Sequence, residues 1–242
     1  MRFVVVKTQS KIAQEGRDSI YQIAQKAFRS IPRSEVLRRF DKYPLIGLAL
    51  DKRTVHGFLF ASFHRSGRSH YVGYRLTAVQ PQSQNKGILS HLSARIFFRT
   101  YLRFYMRKVI TFNYTDQLYF FSRVCNPIAY KALHIGQIIF PNLIDESSLN
   151  LTAEARSHVE KIARLAELNA MDCSTGVISM GAVNAGLRLR TRDFSENEGW
   201  KCPWSRYVPV GSELLVVFPV TFFFPFRHLL KLLRMRLKRG RG

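Results

Sequence analysis

The chain has few acidic residues, and this shortage sets the kind of partner it can have. Of its 242 residues, 16 are acidic and 38 are lysine or arginine, so the formal net charge is +22. A charge this large raises the local concentration of polyanions at the surface. Nucleic acid, anionic lipid and phosphorylated ligands are therefore the candidate partners.

Cysteines and long apolar runs are also scarce. Cys125, Cys173 and Cys202 are far apart, which fits neither a disulfide framework nor a paired zinc site and indicates a reducing compartment. The apolar stretch from Phe3 to Val6 is shorter than the core of a secretory signal, which needs about 7 to 15 apolar residues. We expect a cytoplasmic protein that can also attach peripherally to a membrane.

Apolar residues make up 46% of the chain and aromatic residues 13%, enough for a packed core. Apolar periodicity predicts the order of elements. Strands are expected at 2–7, 45–50, 55–63, 71–79, 117–122 and 213–220, and helices at 10–30, 35–40, 87–107, 128–135 and 152–169. We expect one main domain over 1–221, in which 143–212 is an extension with few clear patterns and 172–207 has none, followed by a basic tail over 222–242.

The segment from Leu76 to Leu89 carries the most chemical information. It begins as a strand, becomes the polar loop 81–86 and opens a helix near Gly87. A helix N-terminus offers about four unpaired backbone N–H groups and roughly half a positive charge, which together can hold a pyrophosphate. Gly87 permits close approach of a phosphate, and Lys86 adds charge. An ordinary polar loop that caps a helix is the alternative interpretation.

This segment resembles the acyl-CoA loop of the GNAT superfamily of N-acyltransferases, which reads Gln or Arg, two residues, Gly, one residue, then Gly or Ala. The stretch Gln84 to Leu89 matches except at Leu89, where a small residue is usual. The resemblance implies a mixed α/β fold with a mostly antiparallel central sheet flanked by helices. It also implies acetyl-CoA or another acyl-CoA as co-substrate, and no metal. The residues implied to contact the cofactor are Thr77, Ala78 and Val79 at pantetheine and Gln84, Asn85, Lys86, Gly87, Ile88 and Leu89 at the pyrophosphate.

A second stretch, Asn126 to Gly136, resembles the last helix of the same superfamily. Asn126 is a good helix N-cap and joins the implied cofactor contacts. The tyrosine that protonates the leaving thiolate in many members would stand at Ala132, so Tyr130, on another helical face, is the candidate acid here. A packing role is the alternative for Tyr130.

Further titratable residues lie near these motifs. Asp116 precedes the strand expected beside the cofactor and is the candidate general base. His91 and His134 are surface or packing histidines on this interpretation and are assigned no role.

The predicted activity is transfer of an acyl group from a CoA thioester to an unknown amine. A module that binds acyl-CoA without turnover is one alternative. A nucleic-acid-binding protein is another, less favoured because no helix-turn-helix, zinc or RNA-binding motif accompanies the charge.

Two basic segments remain. Arg95, Arg99, Arg103 and Arg107 recur every fourth residue, as a ridge on a helix that is either solvated or in contact with an anion. The apolar run Leu214–Phe226 has 13 residues including two prolines, against the roughly 20 that span a bilayer. Phe222 to Gly242 therefore predicts binding to an anionic membrane surface.

Overall fold

The computed structural model describes residues 1–7, 12, 14–28, 31–52, 54–84, 86–125, 130, 133, 139–143, 150–179 and 204–222. The chain forms two compact units. Among the described residues, the first unit contains Met1–Arg65 and Val72–Asp116, and the second contains Ser66–Tyr71 and the residues from Gln117 onward. Both units contain helices and strands, which confirms the mixed α/β class.

The first unit begins with a strand and two helices and ends with a long helix. Its elements are β1 (Arg2–Lys7), α1 (Gln14–Ala27), α2 (Arg33–Lys42), β2 (Leu45–Asp51), β3 (Thr54–Ser66), β4 (Ser69–Val79) and α3 (Ile88–Ile110). The last residue of β3 and the first three of β4 are counted with the second unit. The strands lie in the order β1-β2-β3-β4. The pairs β1–β2 and β2–β3 are antiparallel, which agrees with the mostly antiparallel sheet that the resemblance implies.

Successive side chains of β2 point to opposite faces of the sheet, and different helices cover the two faces. Ile46 and Leu48 join the core beneath α1 and α2, where the rings of Phe40 and Phe60 meet edge to face at 5.1 Å. A Cβ on Gly47 would lie 3.3 Å from Ile96 of α3. Because successive residues of a strand face opposite ways, α1 and α2 cover one face of these strands and α3 covers the other. The prediction of helices flanking the sheet is confirmed.

The second unit contains β5 (Gln117–Val124), α4 (Ala153–Leu165), β6 (Val177–Ile178), α5 (Trp204–Tyr207) and β7 (Glu213–Val220). Its strands lie in the order β5-β7-β6, and both pairs are antiparallel. The late strand predicted at 213–220 is confirmed. Its residues are almost all buried, which explains the continuous apolar sequence.

Several predicted boundaries shift for local reasons. The helix expected to reach residue 169 ends at Leu165, where Ala166 caps it and Glu167 adopts a φ of +57°. Its start is confirmed, because the Thr152 hydroxyl accepts a hydrogen bond from the Ala155 N–H at 3.3 Å. α1 is described as Gln14–Ala27, shorter than the predicted 10–30.

Three predictions fall largely outside the described residues. Of the helix predicted at 128–135, the structure describes Tyr130 and Leu133, both helical. Of the tail it describes Phe222, which is 52% exposed. Segment 172–207 is described at both ends, where it forms β6 and α5. No helix in the described part of the chain is long and apolar enough to cross a membrane.

Candidate functional site

The loop that joins β4 to α3 is anchored to the neighbouring strand by Gln80. The backbone N–H of Gln80 donates to the carbonyl of His56 at 2.9 Å. The side-chain amide of Gln80 donates to the carbonyl of Val55 at 2.7 Å. Two bonds from one residue to adjacent positions of β3 fix where the chain leaves β4.

A buried serine supplies the second anchor. Pro81 opens a short 3₁₀ turn, Pro81–Ser83, and the N–H of Ser83 donates to the carbonyl of Gln80. The Ser83 side chain is buried, with its hydroxyl 2.9 Å from Nδ1 of His56. Neither His56 nor Ser83 was predicted from the sequence, because the two residues are 27 positions apart. Pro81, which opens the turn, is the one local signal.

Gly87 turns the loop into α3. It caps the helix with φ +68°, a left-handed conformation that glycine adopts without steric cost. A Cβ at this position would lie 3.8 Å from its nearest neighbour, the ring of His91. The backbone conformation therefore requires glycine here, whereas space does not.

The first turn of α3 presents backbone donors. The first bond back to the cap runs from the His91 N–H to the Gly87 carbonyl, at 3.1 Å. The N–H groups of Ile88, Leu89 and Ser90 lie before that bond, so they have no carbonyl of the preceding turn to accept them. Such donors, with the positive end of the helix dipole, form an anion-binding site.

The side chain of Lys86 strengthens the positive field at this helix end, and no acidic side chain in the following segment opposes it. Lys86 is exposed immediately before the cap. Between Gln82 and Thr115 the sequence contains six lysines or arginines and no aspartate or glutamate. An anion at the helix N-terminus thus meets no carboxylate from this segment.

The remaining predicted loop residues have distinct environments. Gln84 is exposed, and Leu89 is 41% exposed, so the side chain that departs from the family pattern faces outward. Ile88 is buried and anchors the helix, since a Cβ on Gly57 would lie 3.0 Å from it. Asn85 lies outside the described residues, as does Asn126.

In β4, the strand that leads into the loop, the alternation of side chains between the two faces of the sheet is interrupted at Arg75. The Tyr74 hydroxyl reaches α3 and donates to the carbonyl of Ser93 at 2.9 Å. Arg75 donates instead to the Tyr43 hydroxyl, and Leu76 packs on the same core beneath α1 and α2. Two successive residues on one face interrupt the alternation of a regular strand, and such irregularities turn backbone groups out of the ladder.

The predicted pantetheine contacts follow this irregularity directly. The Thr77 hydroxyl donates to the carbonyl of Phe58 at 3.0 Å, so a side chain satisfies this acceptor of β3. Ala78 is buried in the core beneath α1 and α2, and Val79 is half-buried at the end of the strand. Thr77, Ala78 and Val79 thus lie between the irregularity and the loop.

Asp116, the candidate base, is not brought to this loop. The next residue, Gln117, donates its N–H to the carbonyl of Arg68, just before β4 begins. The loop follows the other end of β4, after Val79. At about 3.3 Å per residue, the strand places roughly 30 Å between the two ends. The half-buried Asp116 also receives a bond from Lys108, at its backbone carbonyl.

Tyr130, the candidate acid, is a buried residue of the second unit. Its hydroxyl donates to the carbonyl of Pro141 at 2.9 Å and accepts from the N–H of Leu143 at 2.7 Å. Its ring packs against Trp204 at 5.8 Å. The hydroxyl proton is therefore held by a backbone carbonyl, and this bond must break before Tyr130 could protonate a thiolate.

His91, for which no catalytic role was predicted, contacts the start of its own helix and the first strand. Its Nδ1 lies 3.2 Å from the Gly87 carbonyl, and its ring lies 4.8 Å from that of Phe3. Across the described residues, no group of three or more His, Cys, Asp or Glu side chains could hold a metal ion.

Neither a protein-family model nor a curated protein matches this chain. Similar solved structures include Tetrahymena GCN5, at 12% identity and a TM-score of 0.39 over 51% of this chain and 71% of that one. The Escherichia coli ribosomal-protein-S18-alanine N-acetyltransferase is 14% identical, with a TM-score of 0.39 over 60% of this chain and 86% of that one. The E. coli GNAT family N-acetyltransferase YhbS, in complex with CoA, is 17% identical, with a TM-score of 0.39 over 55% and 68%.

Proposed function

We propose that this chain, a divergent GNAT-type protein in fold, is an acyl-CoA-dependent N-acyltransferase. The observation that supports the proposal best is the loop between β4 and α3. Gly87 caps α3 in the left-handed conformation beside exposed Lys86, and Gln80 and Ser83 fix the loop to β3. The proposal assigns this loop to the pyrophosphate of a CoA thioester.

Binding at the loop follows from elementary electrostatics. A pyrophosphate carries negative charge on several oxygens, and each can accept a hydrogen bond from a backbone N–H. The first turn of α3 directs the N–H groups of Ile88, Leu89 and Ser90 outward, at the positive end of the helix dipole. Lys86 adds a formal charge. Because the loop is already anchored to β3 without a ligand, binding loses little conformational entropy of the loop.

The pantetheine arm is assigned to the end of β4. In this proposal the backbone groups of Thr77, Ala78 and Val79 pair with the amides of the arm, as an added strand would. The side chains of Arg75 and Leu76 lie toward the same core, and this break in alternation supports the assignment because strand irregularities are common beside binding sites.

The reaction needs little beyond correct placement. An uncharged amine attacks the thioester carbonyl, the C–S bond breaks, and the amine proton passes to the leaving sulfur, giving an amide and free CoA. Holding both reactants together supplies much of the rate, and backbone N–H groups can stabilise the oxyanion. Asp116 remains the predicted base, and its substitution by asparagine can test it. Tyr130 remains a prediction that substitution can test.

Calorimetric titration with acetyl-CoA, a long-chain acyl-CoA and free CoA tests the binding step. Gly87→Glu places a carboxylate against the phosphates and also forces a side chain to a positive φ. The matched control is Gly67→Glu, because Gly67 also has a positive φ, +58°, and open space around it, in the turn between β3 and β4.

We expect the intact protein and the Gly67→Glu variant to bind with similar affinity, and the Gly87→Glu variant to lose binding. Equal affinity in all three proteins would remove the loop from the proposal. No binding of any of the three ligands by the intact protein would refute the function.

A second candidate function is binding of acyl-CoA without turnover. The environment of Tyr130 favours it, since the Tyr130 hydroxyl is hydrogen-bonded to two backbone groups in a core. The two candidates differ in thiol release. An enzyme releases CoA from acyl-CoA faster when a suitable amine is added, whereas a binding module shows saturable binding and no such release across a panel of amines.

A further inference from the structure

The outer face of α3 combines exposed apolar and basic side chains in two parallel ridges. The apolar ridge contains Phe98, Leu102, Met106 and Ile110, which are 48%, 54%, 61% and 72% exposed. The basic ridge contains Arg95, Arg99, Arg103 and Arg107, and all four are exposed.

Helix geometry places the two ridges side by side. Members of each ridge are four residues apart, so they follow one another along the helix surface. Each arginine stands three residues before an apolar residue, as Arg95 does before Phe98 and Arg103 before Met106. Residues three apart on a helix are also neighbours, so the ridges form one continuous surface, which we call the α3 outer face.

This face is distinct from the one that packs in the first unit. Leu92 and Ile96 are buried, and both lie within 3.4 Å of a Cβ built at Gly47 of β2. All eight ridge residues are exposed, whereas the buried residues of α3 are Ile88, Leu92, Ile96, Phe97, Thr100 and Tyr101. The four apolar ridge residues therefore leave about half or more of their surface outside the core that α3 forms with the strands.

The apolar character continues past the helix end. Phe112 is 80% exposed and has a φ of +52°, and Tyr114 is 63% exposed. Val109, on the last turn, is 55% exposed. A contiguous group of large exposed apolar side chains is unusual on a protein surface and marks a binding face.

We propose that the α3 outer face binds the surface of an anionic lipid bilayer. The arginines meet the headgroups, and the Phe98–Ile110 ridge and Phe112 enter the boundary between headgroups and acyl chains. Interfacial helices pair Lys or Arg at the headgroups with Phe and Leu at the acyl boundary in the same way. The helix has five basic residues and no acidic one, so an anionic surface is attracted along its whole length.

Binding to nucleic acid would account for the basic ridge but not for the apolar ridge. A phosphate backbone would pair with the arginines, but it would leave Leu102, Met106 and Ile110 in water, with nothing gained from their exposure. A bilayer accounts for both ridges. Every residue of this face lies between positions 95 and 114 of the sequence, so the proposed binding depends neither on the tail at 222–242 nor on acyl transfer.

Sedimentation with vesicles tests the proposal in the full chain, using phosphatidylcholine alone and phosphatidylcholine mixed with phosphatidylserine. One variant, Arg95→Gln/Arg103→Gln, removes charge from the basic ridge. A second, Leu102→Ser/Met106→Ser, removes apolar surface and keeps the charge. The control, Lys26→Gln/Arg38→Gln, removes the same charge from exposed positions on α1 and α2, the helices on the opposite face of the first unit.

We expect binding to the anionic vesicles and little to the neutral ones. The arginine variant should bind about 25-fold more weakly, since each basic residue near an anionic surface contributes roughly fivefold. The apolar variant should bind the anionic vesicles at least about tenfold more weakly than the intact protein. The control should change by less than about threefold, because exposed charges farther away than the Debye length are screened.

If both ridge variants bound the vesicles as tightly as the intact protein does, the proposal would be overturned. Any vesicle affinity would then be attributed to the tail. Loss in the arginine variant alone, with competition by a DNA oligonucleotide, would also overturn it, in favour of a polyanion. All substituted residues are exposed, so circular dichroism and an unchanged thermal midpoint should show that the variants are folded.

Discussion

Substitution of Tyr130 by phenylalanine separates a structural role from a catalytic one. The variant keeps the ring, which packs against Trp204, and removes only the hydroxyl. That hydroxyl joins the carbonyl of Pro141 to the N–H of Leu143, and Tyr130 and Leu143 are almost fully buried. Both backbone groups would lose their described partner in a place that water does not readily reach.

The magnitude follows from these two bonds. Each hydrogen bond contributes about 1 kcal/mol net, and a buried group left without a partner costs about 1 to 3 kcal/mol. We expect Tyr130→Phe to lower the free energy of unfolding by about 2 to 4 kcal/mol. For a chain of this size that corresponds to a fall of roughly 5 to 15 °C in Tm.

Tyr119 provides the matched control. It is also buried, but its hydroxyl donates to the side chain of Gln117, which is exposed and can bond to water instead. Tyr119→Phe should therefore cost about 1 kcal/mol or less. Thermal unfolding measures both variants, and thiol release measured on folded protein reports catalysis. An unchanged Tm for Tyr130→Phe, together with a large fall in kcat, would refute the structural account and make Tyr130 the acid.

Two further predictions concern the second unit. Burial, reinforced by the charge of Lys161, lowers the pKa of His158, whose Nδ1 lies 2.9 Å from the Tyr71 hydroxyl. The unfolded chain therefore binds this proton more readily, so stability should fall as the pH drops below about 6.5 towards the folded pKa. Urea unfolding should show a flatter pH dependence for His158→Gln, and parallel curves would contradict the assignment. Arg123 pairs with the buried carboxylate of Glu213. Arg123→Gln should cost about 2 to 3 kcal/mol and Glu213→Gln about 1, because only the first leaves a buried charge unpaired; the reverse order in chemical denaturation would refute this.

The elements that the sequence predicted best are those whose signal is local. β1 and β7 have the predicted bounds because each is a short apolar run ended by polar or turn residues, a pattern that does not depend on the rest of the fold. The boundary of α4 was less accurate. Its apolar spacing continues to Leu168, but Glu167 adopts a left-handed conformation that no local pattern indicates.

For the candidate site, sequence reasoning identified the loop but not what holds it. Gly87 and Lys86 are visible in the sequence because helix caps and charges act locally. The pairing of Ser83 with His56 joins residues 27 positions apart and depends on how β3 and β4 align. The environment of Tyr130 is equally non-local, because its partners follow in a loop that no helical pattern describes.

The length of α3 limits how much of its charge can serve the proposed cofactor. The helix rises about 1.5 Å per residue, so Arg95 stands roughly 12 Å along the axis from Gly87, whereas Arg103 and Arg107 stand roughly 24 and 30 Å away. At physiological salt the Debye length is about 8 Å. The last two arginines are therefore screened from a pyrophosphate at the cap, and binding of CoA gives no reason for the absence of acidic residues around them. A second anion along the outer face supplies that reason. Accordingly, Arg107→Gln should leave CoA affinity unchanged and weaken binding to anionic vesicles, and a variant that lowers both equally would show that the two sites are coupled.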